Sequence, residues 1–478
     1  MDDQNSNPTV ISRRTLLGGV AAAAGVMIVP RRVLGGPGYQ APSDTVNIAT
    51  VGYVHGMGTS NTEAVLKNNH NVVALCDVDE SEAGARRLER SKILVRCPKA
   101  VRYSDFRVML EKQKDIDGVI VATPDHTHAV VAMAAMQLGK HVYVQKPLTR
   151  TLSEARALTE AARKYKVVTQ RGNQGHSGEG VRLIEEWISD GAIGKVRDVH
   201  CWTNRPIWPQ GMPRPTENPV APLGLDWDLW IGPAPMRPYH RAYHPFYWRS
   251  WIDFGSGALG DMACHVMDAA YSVLKLGYPS SVVGSLAVQV VEQTRPDGSP
   301  GSRRLEYKDS FPPAAVIHYT FPARGKNLPE VKLHWYDGGI LPERPEELEA
   351  DRRLPESGTL FVGEKGKLMC ETYSESPRLI PESRMAAYKR PKKTLPRVPG
   401  GQHEQNWIDG ILGKAKPNSN FDYSGPFTET VLLGNLAITF PGNRLMWDGV
   451  NLKVTNNAEA NALVQHQYRE GWSLGPKV

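Results

Sequence analysis

Cysteine is scarce in this chain: five in 478 residues, Cys76, Cys97, Cys201, Cys264 and Cys370, far apart and odd in number. That pattern excludes a disulfide framework, and the lack of any C-x-x-C pair excludes a cysteine-built structural zinc site. Apolar runs of membrane length are missing as well. The stretch Leu16 to Val29 falls short of the roughly twenty residues that a comfortable span requires, so no stable membrane span is expected. Blocks of one charge are also lacking. The formal net charge is +7, but the densest basic stretch, Lys389 to Lys393, is short and reads as a solvated loop. A nucleic-acid surface is therefore not expected. No internal repeat is present. What remains, 41% hydrophobic and 22% charged residues, is ordinary globular composition with length enough for more than one core.

Residues 1–36 do not read as fold. Ser12-Arg13-Arg14-Thr15-Leu16-Leu17 precedes the apolar run, which is rich in Ala and Gly and is followed by small residues at Gly35 and Gly36. The paired arginines resemble a twin-arginine export signal, with an ordinary secretory signal as the alternative. The expectation is export to the periplasm or an equivalent compartment, by a route associated with proteins that fold first, often around a cofactor.

From residue 44 the pattern alternates. Val46 to Gly52 is a β-rich run ending in glycine, Met57 to Asn69 has helix length, and Asn71 to Asp77 is a second β-rich run ending in an acid. Further helices are expected near Ser104 to Gln113, up to Leu138, and over Ser153 to Tyr165, with strands at Gly118 to Ala122, His141 to Val144 and Val167 to Thr169. Such alternation predicts an α/β fold, a doubly wound parallel sheet over 44–170. Residues 203–250 are crowded with Pro, Trp, Tyr and Arg and show no period, the mark of a long irregular excursion. Its rings suit either a carbohydrate platform or a subunit interface. Beyond it, β-rich stretches at Ser281 to Val291, Ala314 to Phe321, Val331 to Tyr336 and Thr359 to Met369, then helices at His403 to Leu412 and Phe427 to Ile438, predict an α+β second domain over 171–450 with a largely antiparallel sheet. Residues 451–478 are left as a tail.

The first strand-to-helix turn, Gly52-Tyr53-Val54-His55-Gly56-Met57-Gly58, lets backbone amides and a helix N-terminus approach a pyrophosphate. It carries one residue more than G-x-G-x-x-G. Asp77 closes the next strand about twenty residues on, where a carboxylate accepts from adenosine ribose hydroxyls and favours NAD over NADP. Thr123-Pro124-Asp125-His126-Thr127-His128 and Gln145-Lys146-Pro147 each follow a buried strand, at the carboxyl edge of the sheet where ligands bind. Asp261, His265 and Asp268 share one helical face.

Together these segments resemble the Gfo/Idh/MocA oxidoreductase family, named for glucose-fructose oxidoreductase and inositol dehydrogenase, over residues 44 to about 450. The resemblance implies that Gly52, Gly56, Met57, Gly58 and Asp77 hold the dinucleotide. It places Thr123, Pro124, His126, His128, Gln145 and Lys146 on the nicotinamide side. It implies that Lys146 lies near a substrate hydroxyl, with His265 as proton acceptor and Asp261 as its orienter. Gly172-Asn173-Gln174-Gly175-His176 is similar to a segment of exported, sugar-active members, so Asn173, His176, Asp268 and Trp251 are expected at the substrate. A homo-oligomer is also implied. The chain departs from the family at Gln145, where a glutamate is usual, which predicts weaker support for the charge of Lys146. The turn insertion is a second departure.

Three functions follow. The first is an NAD(P)-dependent oxidoreductase of a sugar or polyol hydroxyl. The second is a glycosidase or lyase that uses transient oxidation, or a divalent metal held by His176, Asp261 or His265. The third is a non-catalytic sugar binder on an inherited fold.

Overall fold

A computed structural model describes residues 41, 44–325 and 328–475. The expected export signal lies outside them. Residues up to Thr45 form a unit of their own, of which Ala41, Asp44 and Thr45 are described; the second unit begins at Val46 and holds every strand and helix of the two layers.

Six strands form a parallel sheet: β1 (Asn47–Val51), β2 (Asn71–Cys76), β3 (Val101–Tyr103), β4 (Gly118–Val121), β5 (His141–Gln145) and β6 (Thr169–Gly172), in the order β3-β2-β1-β4-β5-β6. The order reverses beside β1, and such a switch point opens a crevice at the carboxyl ends of the strands. Continuous burial of β4 fits a strand covered on both faces. On one face lie α1 (Gly58–Lys67) and α2 (Glu82–Ser91), on the other α3 (Phe106–Lys112), α4 (Asp125–Gln137) and α5 (Leu152–Tyr165). Helix α2 was not expected. Its residues are mostly charged, and only Gly84 and Leu88 are buried. Helix α5 starts at a capping box in which the Thr151 hydroxyl and the Glu154 carboxylate satisfy each other's backbone amides, a device worth about 1 kcal/mol.

The second layer is a nine-stranded mixed sheet built from β7 (Val196–Trp202), β8 (Ser281–Leu286), β11 (Ala315–Phe321), β12 (Val331–Tyr336), β13 (Gly358–Gly363), β14 (Gly366–Glu371), β15 (Arg378–Ile380), β16 (Arg444–Asp448) and β17 (Lys453–Val454). Only β7 and β12 run parallel; every other pairing is antiparallel. A separate exposed hairpin, β9 (Val290–Thr294) with β10 (Pro300–Arg304), projects from it. One face is packed by α6 (Glu179–Ser189), α7 (Gly257–Val266), α8 (Asp268–Val273) and α10 (Phe421–Thr439), which bury Trp187, Leu259, Tyr271 and Phe427 against Ile317, Leu333 and Phe361.

Two late helices reach back to the first sheet. In α9 (His403–Ile411), Trp407 lies so close over β4 that a Cβ on Gly118 would stand 2.8 Å from its ring. Helix α10 packs on α5, and Arg156 grips Glu429 through two bonds of 2.9 and 2.8 Å. The residues expected as a tail pack back onto the chain: Tyr468 donates to Glu154, Gln137 donates to the Leu474 carbonyl, and Arg469 holds Asp228. No helix among the described residues is long and apolar enough to cross a membrane.

The aromatic excursion is neither an open platform nor bare. Trp230, Tyr243, Trp248, Trp251 and Phe254 pack on one another as a small core, with the Arg237 guanidinium 4.7 Å from the Phe254 ring centre. Trp251 is fully buried and its indole N–H donates to the Ala242 carbonyl. It offers no ring to a sugar, which corrects its assignment to the substrate.

Candidate functional site

The glycine turn after β1 is enforced by contact. Gly52 has φ +86°, and a Cβ there would lie 2.7 Å from the backbone of Ala122 and Thr123; one on Gly58 would lie 2.1 Å from the Gly52 carbonyl oxygen. Only glycine permits that approach. The extra residue is absorbed by an arch pinned from β2, where the Asp77 carboxylate accepts from the amides of Val54 at 2.8 Å and Asp79 at 3.1 Å. Burial raises the Asp77 carboxyl above its ordinary value, and those amides together with His55 oppose the shift.

A single cleft runs from this turn across the carboxyl edge of the sheet. Gly52, Gly56, Met57, Asp77, Thr123, Pro124, Gln145 and Lys146 line it, so most of the expected dinucleotide residues share one surface. The glycine cradle, the start of α1 and the carboxylate at the end of β2 fit a dinucleotide. Gly58 lies beneath, as packing. His126 and His128 do not reach the cleft: both are buried, His126 facing the carbonyls of Trp230 and Phe254 and His128 those of Thr123 and Pro147. Their rings join α4 to neighbouring segments, which replaces the expected cofactor contact.

Among the cleft residues that sequence reasoning missed are Phe106, Trp472, Arg249 and Asp125. Phe106 and Trp472 stand at the Asp77 end, their rings 6.3 Å apart, with the Arg107 guanidinium 4.8 Å from the Trp472 ring centre. Nothing in a local window links Trp472 to residue 106. Arg249 lies over the Trp248 and Phe246 rings at 4.2 and 4.6 Å. Asp125 is buried at the start of α4 and accepts from the Ser256 hydroxyl, and burial pushes its carboxyl up to about 7.

Lys146, just past β5, donates through Nζ to Asp261 Oδ1 at 2.7 Å and to the Asp261 carbonyl at 2.9 Å. Burial works against the ammonium, but the Asp261 carboxylate outweighs it and raises Lys146 above the ordinary lysine value. The lysine charge therefore keeps its support despite Gln145, contrary to expectation. Gln145 itself donates to Asn61 Oδ1 at 2.8 Å. Asp261 stays ionised in spite of its burial because Lys146 and Arg249 hold its carboxyl low. The carboxylate is thus bonded to Lys146, where the expectation paired it with His265. The His265 ring is 4% exposed, stands edge-on to Tyr373 at 4.8 Å, and has a buried Nδ1 with no partner. Burial and the nearby Lys146 charge push it down to about 3, so the imidazole is neutral.

Asn173, His176 and Asp268 form a separate buried cluster. Asp268 Oδ1 accepts from Asn173 and from the Tyr423 hydroxyl, each at 2.8 Å, and Oδ2 lies 2.7 Å from His176 Nδ1. The His176 ring stacks on Tyr423 at 4.6 Å. None of the three lines the dinucleotide cleft. With His176 committed to Asp268 and Asp261 to Lys146, the expected metal set His176, Asp261 and His265 does not converge on a shared ion.

Two family models match consecutive parts of the chain: an oxidoreductase family, NAD-binding Rossmann fold, over residues 46–173, and the same family's C-terminal alpha/beta domain over 196–311. The chain belongs to the Gfo/Idh/MocA oxidoreductase family. Within it, the chain is 31% identical over 167 residues to levoglucosan dehydrogenase of Pseudarthrobacter phenanthrenivorans, a match covering 35% of each protein. It is 30% identical over 156 residues to inositol 2-dehydrogenase of Salmonella typhimurium, covering 32% of this chain and 43% of that protein. A glycosyl hydrolase family 109 protein of Bacteroides fragilis is 36% identical over 127 residues, 25% of this chain and 26% of the other. These matches span less than half of the relatives' lengths. Among solved structures, the WlbA dehydrogenase from Bordetella pertussis, in complex with NADH and UDP-GlcNAcA, superposes with a TM-score of 0.55 at 16% identity, covering 84% of this chain and 99% of that one. Levoglucosan dehydrogenase in complex with NADH gives 0.51 at 18%, covering 83% and 96%. At such identities the likeness is one of fold.

Proposed function

We propose that the protein is an NAD-dependent oxidoreductase acting on a hydroxyl group of a sugar or polyol. The observation that carries this reading is Lys146: a charged ammonium at the carboxyl edge of the dinucleotide-type sheet, fixed by Asp261, in the same cleft as the glycine turn and Asp77. The residues present fit the cofactor. The turn amides and the N-terminus of α1 receive a pyrophosphate, and Asp77 accepts from ribose hydroxyls while repelling a 2′-phosphate. When bound, the dinucleotide supplies the hydride acceptor.

The chain's own residues manage the proton and the charge. The Lys146 ammonium steadies the oxygen as its negative charge develops. The hydroxyl proton is assigned to the neutral His265, as the family resemblance implies; its ring is not among the residues that line the cleft, and its Nδ1 is buried and unpartnered. Asp261, ionised between Lys146 and Arg249, offsets the positive charge that His265 then gains. The likeness to a family 109 glycosyl hydrolase supports a second reading, in which oxidation is transient and a glycosidic bond breaks with no net redox change. Incubating the protein with NAD, polyols and glycosides separates the two. Accumulating NADH is the expected result; reducing sugar released without NADH supports the second reading; neither product leaves a binding protein.

We also propose export through the twin-arginine route. Replacing Arg13 and Arg14 together by lysine is expected to trap the chain inside the cell, and normal export of that variant would overturn this.

A further inference from the structure

The turn that departs from the regular glycine spacing brings a histidine to the cleft. His55 stands on the arch held by Asp77, and its Nε2 lies 2.6 Å from Asp79 Oδ2. From the facing wall, His244 of the aromatic excursion brings its Nε2 to 3.4 Å from the same oxygen. The two rings meet edge to face with centres 5.2 Å apart. All three donor atoms lie within 4.8 Å of one another, and no other trio of His, Cys, Asp or Glu does so among the described residues.

Asp79 is 1% exposed. His244 is 7% exposed. Asp79 Oδ1 accepts from the Ser81 amide at 2.9 Å, which fixes the direction in which Oδ2 points. Outer bonds of this kind orient metal ligands. Zinc bonds of about 2.0–2.2 Å in a tetrahedral site hold the donor atoms roughly 3.3 Å apart. The separation of His244 from Asp79 already matches. His55, on a turn with its side chain 20% exposed, has less than about 1 Å to draw back.

We propose that His55, Asp79 and His244 bind one divalent transition-metal ion of the zinc class on the wall of the cleft. Two imidazoles and one carboxylate favour zinc, cobalt or iron over magnesium or calcium. Both histidines line the cleft, so the remaining coordination positions face it and accept water or an oxygen of a bound anion. The ion joins the inserted turn to the excursion, two segments that the chain separates by nearly two hundred residues.

The test uses the full chain, stripped with a chelator and titrated with cobalt(II), followed by visible absorption and by equilibrium dialysis. One cobalt per chain is expected, with the intense d–d bands of a four- or five-coordinate ion, displaced by one equivalent of zinc. His55→Gln and His244→Gln are each expected to weaken binding by ~10-fold or more. If His244→Gln disturbs folding, His55→Gln, at a half-buried position on the turn, still decides the matter. Failure of the wild-type chain to take up cobalt stoichiometrically, or a spectrum retained in His55→Gln, overturns the proposal. A parallel NAD titration of the metal-free protein reports on the dinucleotide reading alone, so the two can fail separately.

Discussion

Lys146 is half-buried and still charged because Asp261 supplies the negative partner that Gln145 cannot. Asp125 behaves in the opposite way in the same cleft. Burial lifts its carboxyl to about 7, with only partial relief from Ser256 and Arg249. An acid whose folded value lies above its unfolded one costs stability as it ionises. The cost begins above the unfolded value near 4, grows through the window up to about 7, and is constant beyond it. Asp125→Asn is therefore expected to be more stable than the wild type at pH 8, by a few kcal/mol at about 1.4 kcal/mol for each tenfold change in acidity, with the difference fading toward pH 4. Urea unfolding at pH 4, 6 and 8 checks this; a difference independent of pH contradicts it. Local sequence does not show this behaviour. Asp125 sits next to motif residues, but its burial depends on Ser256 and Arg249, more than a hundred residues away.

At the scale of elements, strands β1, β2, β4 and β5 are readable because each is a short apolar run closed by a turn signal. Helix α10 departs from expectation at its start. The expected helix starts at Phe427, whereas the helix begins at Phe421 under an Asn420 cap and carries Pro426 inside. That early turn puts Phe421 in the core of the first layer, and α10 spans both layers. Its hold on α5 is Glu429, 0% exposed, paired with Arg156. Arg156→Met strands a buried carboxylate, and a loss of about 3 kcal/mol is expected from chemical denaturation. A loss under about 1 kcal/mol contradicts that role. Strands β13 and β14 form within the β-rich stretch expected at Thr359 to Met369, turning between Gly363 and Gly366, whereas β7, α6 and the parallel pairing of β7 with β12 leave no local mark.

At the scale of the whole molecule, the fold class and family are legible because four motifs fall at the edge of one parallel sheet. The remainder of the site is not, because it is assembled from sequence-distant segments: the excursion contributes His244 and Arg249, and the tail contributes Trp472. The tail brings Trp472 into the lining of the same cleft as Asp77, so, on the proposed NAD reading, Trp472→Ala is expected to weaken NAD binding roughly tenfold, in line with ~1–3 kcal/mol per stacked base. Calorimetric titration measures it, and unchanged affinity removes Trp472 from the site. The central claim concerns Lys146, and its most direct test is the rate at which the wild-type protein and Lys146→Ala form NADH from NAD and a panel of sugars and polyols. The account predicts NADH from the wild type and a fall of at least ~100-fold in kcat for the variant, with NAD affinity retained. A variant that turns over near the wild-type rate contradicts it.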